Sequence, residues 1–270
     1  MPQHPGWRCI FQKGGFTMKP MIEVKGLRKV YHIGEEKIVA LKKISLTIQR
    51  GEICCIFGTS GSGKSTLLNM LAGMEKPSAG EVRIGGVPIS RLDEDQLAAF
   101  RQRHLGFVFQ AYNLLPSMDA TENVAMPLLF QGVTKKKREQ AAVSMLKRVG
   151  LGHRLHHYPG QMSGGQQQRA GIARAFVARP SVIFADEPTG NLDTRTTKEV
   201  MEMILGFARQ YNQTIVLVSH EPELAQYVDR IVTLVDGEII KDEYLNENFK
   251  CILQKEPDNQ GDREVKNDKE

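Results

Sequence analysis

The sequence has little that would hold a protein in a membrane or send it out of a cell. No run approaches the roughly 18 to 20 apolar residues that cross a bilayer, and residues 1–20 lack the apolar centre of a signal peptide. No two of the four cysteines have metal-ligand spacing, and the adjacent Cys54 and Cys55 lie in an apolar run, as core residues do. We therefore expect a reduced, cytosolic compartment, and a separate membrane partner if the protein works at a membrane.

Dense charge of one sign is also missing. The net charge is +5 over 270 residues, and the basic residues are spread along the chain. A nucleic-acid-binding surface usually concentrates lysine and arginine in a patch, so we expect no nucleic-acid partner. Ten of the 17 residues 254–270 are charged, and this tail has almost nothing to bury, which predicts disorder. Residues 1–20 are expected to be a disordered extension before the folded domain, or else translation starts later, since Met18 and Met21 lie just before the first predicted strand.

Between these two ends, strand-like segments alternate with helical and loop patterns. The continuous apolar run Ile53–Phe57 is typical of a central buried strand. Further strands are predicted at Ile22–Val24, Ile44–Ile48, Val82–Ile84, Gly106–Gln110, Val182–Ala185, Thr214–Val218, Arg230–Val235 and, after the turn Asp236-Gly237, Glu238–Ile240. Strand signals vanish from Ala111 to Met162, where a helix beginning at Thr134 predicts a helical insertion. The alternation predicts an α/β fold with a largely parallel sheet flanked by helices.

A glycine-rich loop follows the predicted strand Ile53–Phe57 and leads into a helix predicted at Lys64–Leu71. It fits the Walker A pattern of glycine, four residues, glycine, lysine and serine. Its glycines let consecutive backbone N–H groups face a phosphate, Lys64 can reach the β- and γ-phosphates, and the Ser65 hydroxyl can bind Mg²⁺. A chance match in a glycine-rich turn is the alternative, but the strand–loop–helix context opposes it. The predicted nucleotide-binding residues of this loop are Gly58, Thr59, Ser60, Gly61, Ser62, Gly63, Lys64, Ser65 and Thr66.

Two acidic residues, Asp186 and Glu187, follow the apolar strand predicted at Val182–Ala185. Open α/β sheets bind their ligands at the carboxyl ends of the strands. Asp186 can hold Mg²⁺ through water, and Glu187 can orient or deprotonate an attacking water. The alternative is an acid pair at a helix start with no catalytic task, and the presence of the phosphate loop in the same chain makes this the weaker interpretation.

The segment Ser163–Arg169 places two glycines beside a serine at the start of a helix predicted at Gln166–Ala178. Such a start is a second anion-binding terminus, which one nucleotide site does not need. A simple resolution is that it serves a nucleotide bound by another copy of the chain. At this point the sequence resembles the ATP-binding cassette family, whose signature is Leu-Ser-Gly-Gly-Gln; Met162 replaces the leucine here.

Further residues match the motifs of this family in order, over about Met21 to Asp242. Taken singly, each could be an ordinary surface or loop residue. The resemblance implies that Tyr31 stacks on adenine, that Asn191–Asp193 is the D-loop and that His220 contacts the γ-phosphate. The implied catalytic residues are Glu187, His220 and Gln110, and the implied metal ligands are Ser65, Gln110 and Asp186. The signature residues implied to bind ATP are Ser163, Gly164, Gly165 and Gln166.

The resemblance also implies an architecture and a task. The architecture is a P-loop NTPase core with an antiparallel β subdomain over residues 21–245, and a helical subdomain at about 111–165. The task is ATP hydrolysis with Mg²⁺ by a homodimer that drives a transmembrane permease subunit from the cytoplasmic face of the membrane. Three segments, Tyr112–Pro116, Glu122–Leu128 and Asp186–Asp193, look most like one subgroup of the family. It includes macrolide exporters, lipoprotein-release systems, antimicrobial-peptide resistance transporters and the cell-division pair that controls wall hydrolases.

Two other classes also use such a phosphate loop. Soluble cassette proteins that act on ribosomes or DNA usually carry two cassettes or a long coiled coil, whereas this chain has one cassette and no sustained heptads. A purely regulatory nucleotide sensor would not need Glu187 and His220. The sequence therefore favours the transporter ATPase.

Overall fold

The computed structural model describes residues 20–245. The disorder predicted for residues 1–20 and 254–270 concerns segments outside this range, apart from Pro20. The ten strands of the described part are β1 (Ile22–Ile33), β2 (Glu36–Ile48), β3 (Ile53–Phe57), β4 (Ala79–Ile84), β5 (Val87–Pro88), β6 (Leu105–Phe109), β7 (Val182–Asp186), β8 (Thr214–Ser219), β9 (Arg230–Val235) and β10 (Glu238–Tyr244). Its six α-helices are α1 (Lys64–Leu71), α2 (Glu94–His104), α3 (Ala120–Phe130), α4 (Lys135–Arg148), α5 (Gly164–Val177) and α6 (Thr194–Tyr211).

A six-stranded sheet with the order β10-β9-β3-β8-β7-β6 forms the centre of the fold. The neighbours from β9 to β6 run parallel, and only β10 pairs antiparallel, through the predicted hairpin at Asp236-Gly237. Parallel strands need crossover connections, which place helices over the sheet and bury both of its faces. The largely parallel sheet predicted from the sequence is therefore confirmed.

Alternate residues of the central strands enter two separate cores. In β3, Ile53 and Cys55 pack into the core shared with α3 to α6, whereas Cys54 and Ile56 pack into the core shared with α1 and β1. Both cysteines are free and buried, as expected for core residues. Because side chains alternate across a strand, one short apolar run holds two layers onto the sheet.

The second core also receives a four-stranded antiparallel sheet of order β2-β1-β4-β5. Its hairpin β1–β2 turns at Gly34, whose φ of 61° is in the left-handed region, and it is much longer than the strands predicted at Ile22–Val24 and Ile44–Ile48. The outer part of the hairpin is exposed on both faces and does not alternate cleanly, so hydrophobic periodicity could not reveal it.

Two long helices, α2 and α6, were not predicted. Each begins with a capping aspartate: Asp93 accepts a hydrogen bond from the Gln96 N–H, and Asp193 accepts one from the Thr196 N–H. These caps were the local signal that could have located both helices. In the region predicted as a helical insertion, α3 and α4 lie side by side and pack on α5.

Candidate active site

A cavity of about 860 Å³ lies at the carboxyl ends of the parallel strands. The loop between β3 and α1 forms its floor, and residues after β7 and β8 form one side. The predicted site residues that line it are Gly58, Thr59, Ser60, Gly61, Gly63, Lys64, Ser65, Thr66, Glu187 and His220. The fold thus brings residues that are far apart in the sequence together in one pocket of ligand size.

The loop needs glycine for two different reasons. Gly61 and Gly63 have φ values of 79° and 100°, a backbone region that side chains other than glycine rarely adopt. At Gly58 the constraint is space, because a Cβ atom would lie 2.3 Å from the Leu234 carbonyl oxygen. Lys64 Nζ donates a 2.8 Å hydrogen bond to the Thr59 carbonyl oxygen, so the cation is held across the loop opening.

Ser62 lies behind this loop rather than in the cavity wall. It is 3% exposed, its N–H donates to the Thr59 carbonyl oxygen, and its hydroxyl has no hydrogen-bond partner within the described residues. The Gly237 N–H donates a 3.0 Å hydrogen bond to the Ser62 carbonyl oxygen. Ser62 therefore ties the phosphate loop to the β9–β10 turn.

The two acidic residues have different surroundings. Asp186 ends β7, where burial first and the charge of Glu187 second raise the pKa of its carboxyl, against the opposing effect of Lys64. Glu187 leaves the strand with a φ of 42°, a strained value for a residue other than glycine. Its Oε1 lies 2.8 Å from His220 Nδ1. Since a carboxylate only accepts, this hydrogen bond requires a proton on Nδ1.

Gln110 follows β6 and reaches the same place from another strand. A Cβ atom built on Gly190 would lie 2.9 Å from Gln110 Nε2 and 3.5 Å from Glu187 Oε2. Asn191 Nδ2 also donates a 3.2 Å hydrogen bond to the Gln110 carbonyl oxygen. Gln110 therefore lies beside the catalytic candidate Glu187, although neither Gln110 nor Asp186 is among the side chains that line the cavity.

Tyr31 is adjacent to the cavity but does not line it. Its cross-strand partner Ile38 does, together with Val39, and both side chains are about 40% exposed. Sequence reasoning missed these two residues, and it also missed Asp236 and Gly237, which had been interpreted only as a turn. Pairing of β1 with β2 and of β9 with β10 brings them to the site, which no local motif records.

The signature residues line a separate pocket of about 480 Å³. Ser163 caps α5 by accepting a hydrogen bond from the Gln166 N–H, while the Gln166 side chain accepts one from the Ser163 N–H. Gly164 and Gly165 follow in the first turn, and Asn191–Asp193 line the same pocket. No phosphate-loop residue lines this pocket, so a single copy does not bring its signature helix to its own phosphate loop.

Comparison with known proteins decides the family. Residues 41–190 match the family model described as ABC transporter. The chain belongs to the ABC transporter family. Over 225 residues it is 46% identical to the macrolide export ATP-binding/permease protein MacB 1 of Yersinia pestis bv. Antiqua (strain Antiqua), with 83% of this chain and 34% of that protein covered. It is 47% identical to the lipoprotein-releasing system ATP-binding protein LolD of Geobacter metallireducens, with 83% of this chain and 100% of that protein covered.

The chain therefore covers about a third (34%) of the length of this MacB relative and the whole length of this LolD relative. The resemblance stated from the sequence is confirmed, including its macrolide-export and lipoprotein-release branch. Among residues 20–245, no helix is both long and apolar enough to span a bilayer.

Solved cassette structures share the fold. The ATP-binding cassette MJ0796, in a dimeric post-hydrolysis state bound to ADP and Pi, superposes with a TM-score of 0.79 at 41% identity, covering 84% of this chain and 99% of that one. The cbiO1 protein of Clostridium perfringens, part of the ABC transporter complex cbiONQ, gives 0.75 at 28% identity over 86% of this chain and 91% of that one. The predicted α/β cassette fold is thus confirmed.

Proposed function

We propose that this ABC transporter family member is the ATP-hydrolysing subunit of a transporter of the MacB and LolD type. The observation that carries the proposal is the cavity shared by the phosphate loop, Glu187 and His220. It combines a cation and backbone donors for polyphosphate with a carboxylate and an imidazole for water activation. The folded unit of this subunit is residues 21–245, with a helical subdomain at about 111–165.

ATP binds along the phosphate loop. Backbone N–H groups at the start of α1 face the phosphates, and Lys64 leaves the Thr59 carbonyl oxygen to contact the β- and γ-phosphates. Ile38 and Val39 provide apolar surface on the hairpin side of the cavity. Tyr31, the cross-strand partner of Ile38, stacks on the adenine ring beyond them.

Mg²⁺ fits the acidic side of this site. The oxygen atoms of Ser65, Asp186 and Gln110 are the hard ligands that this ion prefers. Burial and the neighbouring charge of Glu187 raise the pKa of Asp186, and a divalent cation would relieve both effects. When bound, the ion neutralises charge on the transferring phosphate.

Hydrolysis uses Glu187 and His220 as a pair. Glu187 accepts a proton from the attacking water, or orients that water, on the side of the γ-phosphate. His220, held 2.8 Å from Glu187 Oε1, fixes the carboxylate and contacts the γ-phosphate. Gln110, whose side chain approaches Gly190 together with that of Glu187, senses the metal and the water.

A second copy completes each site. The signature residues Ser163 to Gln166 line their own pocket with the D-loop, so their α5 start is available to the nucleotide of another copy. Two ATP molecules would then hold a head-to-tail homodimer together, and hydrolysis would release it. A transmembrane permease subunit completes the transporter and keeps this ATPase at the cytoplasmic face of the membrane. Capture of that permease from detergent-solubilised membranes tests the partner.

Lys64→Ala tests the site itself. Loss of the one loop cation matched to the β- and γ-phosphates is expected to raise the Kd for ATP about tenfold to a hundredfold. Isothermal titration calorimetry with ATP and Mg²⁺ measures this, and Lys241→Ala, which removes an exposed lysine paired with Glu243, is the control for charge. A Kd of Lys64→Ala within about twofold of the wild-type value would assign ATP to another site.

A further inference from the structure

Glu75, in the segment that follows α1, is bound to Tyr31. The Tyr31 hydroxyl donates a 2.7 Å hydrogen bond to Glu75 Oε2, and the same oxygen lies 3.2 Å from Lys29 Nζ. The other oxygen, Oε1, accepts a 3.5 Å hydrogen bond from Asn69 Nδ2, and Asn69 belongs to α1, the helix of the phosphate loop. Both oxygens of Glu75 therefore have a partner.

Lys29 holds the same tyrosine from a second direction. Its Nζ lies 5.0 Å from the centre of the Tyr31 ring, over one face. It also donates a 2.9 Å hydrogen bond to the Lys76 carbonyl oxygen, and its side chain is only 15% exposed. The ring is thus fixed at its hydroxyl and covered on one face, so a stacked ligand would contact the opposite face.

The pair lies close to the nucleotide cavity. Tyr31 pairs across the hairpin with Ile38, which lines the cavity together with Thr66 of the phosphate loop. Partial burial works to raise the pKa of Glu75, but the hydrogen bonds from Tyr31 and Lys29 together outweigh it and lower that pKa. Glu75 is therefore an ionised acceptor at neutral pH.

We propose that Glu75 is a positioning residue for the nucleotide base: it holds Tyr31 so that the ring face opposite Lys29 stacks on adenine. This inference rests on the proposed function, because it needs ATP in the cavity. The start of α1 lies at the phosphates, and the segment that follows α1 helps to bind the base. Glu75 itself touches no nucleotide atom and acts through Tyr31.

A purely structural role is the competing explanation, in which the Glu75–Tyr31 hydrogen bond only fastens the hairpin to α1. The two roles differ in which ligand they affect. A positioning residue for the base affects ATP but not inorganic tripolyphosphate, which has the phosphates and no base. A structural fastening that reshapes the cavity affects both ligands.

The experiment measures the Kd of ATP and of tripolyphosphate, with Mg²⁺, for the full chain and its variants. Releasing one side chain that must be fixed again on binding predicts an ATP Kd about threefold to tenfold higher in Glu75→Ala. The Kd of tripolyphosphate is expected to stay within about twofold of wild type. Glu75→Gln keeps an acceptor for the Tyr31 hydroxyl and should restore ATP binding. Glu94→Ala removes an exposed glutamate paired with Lys76, and it is the matched control.

Tyr31→Ala completes the test. It should change the ratio of the two Kd values, and adding Glu75→Ala to it should have no further effect on that ratio, since Glu75 acts through the ring. The inference is overturned if the ratio of the two Kd values is unchanged in Glu75→Ala, whether neither Kd changes or both rise equally. It is also overturned if the ratio is unchanged in Tyr31→Ala. If the wild-type protein binds neither ATP nor tripolyphosphate at concentrations up to the millimolar range, the proposed function itself fails.

Discussion

Single residues of the site are arranged for ligand binding at some cost to the free protein. Asp186 shows this most directly. Burial and the charge of Glu187 raise the pKa of its carboxyl above its ordinary value of 3.8. An acid whose pKa is raised by folding contributes most to stability when it is protonated, and this contribution is lost as pH rises through the folded pKa. At neutral pH, ionised Asp186 therefore destabilises the free protein.

Asp186→Asn is expected to stabilise the nucleotide-free protein at about pH 7.5 and to have a smaller effect at about pH 5. The same change should reduce ATP hydrolysis by at least about a hundredfold, because it removes the carboxylate proposed to hold Mg²⁺ at the transferring phosphate. Urea unfolding at the two pH values, without Mg²⁺, measures the stability. Lower stability of the variant at neutral pH would contradict this explanation.

Asp193 provides a control of opposite sign. The Thr196 N–H and hydroxyl bind its carboxylate at the start of α6 and lower its pKa. An acid whose pKa is lowered by folding contributes stability at pH values above its ordinary pKa, and that stability is lost as pH falls through the folded pKa. Asp193→Asn should therefore not stabilise the protein at about pH 7.5, in contrast to Asp186→Asn.

At the scale of elements, Arg230 joins the central sheet to its neighbours. It begins β9, and its guanidinium donates to both carboxylate oxygens of Asp242 on β10, each at 2.5 Å. It also donates to the Thr47 carbonyl oxygen of β2 at 2.6 Å and lies 3.4 Å from Glu52, which is fully buried. One side chain thus connects the antiparallel sheet, the start of β3 and the last strand.

Arg230→Met is expected to lower the free energy of unfolding by about 3 to 5 kcal/mol, because it leaves a buried carboxylate without its charge partner. Urea denaturation measures the loss. Arg83→Met, which breaks the more exposed ion pair with Glu81 on β4, should lower the free energy of unfolding much less, because water and salt screen that pair. Similar losses in the two variants would show that burial does not distinguish these pairs. Adding Glu52→Gln to Arg230→Met should recover part of the stability.

At the scale of the whole molecule, the two proposed halves of a nucleotide site lie in different pockets of one chain. Lys64 lines the larger cavity, and Ser163 lines the smaller one. If Ser163 of one copy completes the site of Lys64 in the other, Lys64→Ala and Ser163→Arg have complementary defects. In a mixed dimer, one composite site receives both lesions and the other receives none.

Mixing the two inactive variants is therefore expected to restore ATP hydrolysis. Random mixing places about half of the dimers in the mixed state, so the rate should reach roughly a quarter of wild type if one intact site works alone. A covalently linked dimer is the control. Activity with one lesion in each copy, and none with both lesions in one copy, is the expected result. The reverse pattern would place each site within a single chain.

The sequence alone determined which chemistry is proposed for the site, because that proposal depends on the local order of residues. The loop from Gly58 to Ser65 lies between an apolar strand and a helix, and Asp186 and Glu187 lie at a strand end. The backbone donors and the cation come from consecutive residues of the loop, and the two carboxylates come from adjacent residues at the strand end. The helix α1 at Lys64–Leu71 agrees with its predicted bounds, since the glycine before it and its own periodicity both define it.

The tertiary structure alone decided which residues meet. Strand pairing brings Ile38 and Asp236 to the cavity, and it brings Tyr31 to Glu75, a contact between residues 44 positions apart. The fold also places Ser163 in a different pocket from the phosphate loop. The order and register of strands are set by packing over the whole domain, whereas hydrophobic periodicity records only which face of each strand is buried. Contacts between distant segments therefore leave no local pattern from which they could be predicted.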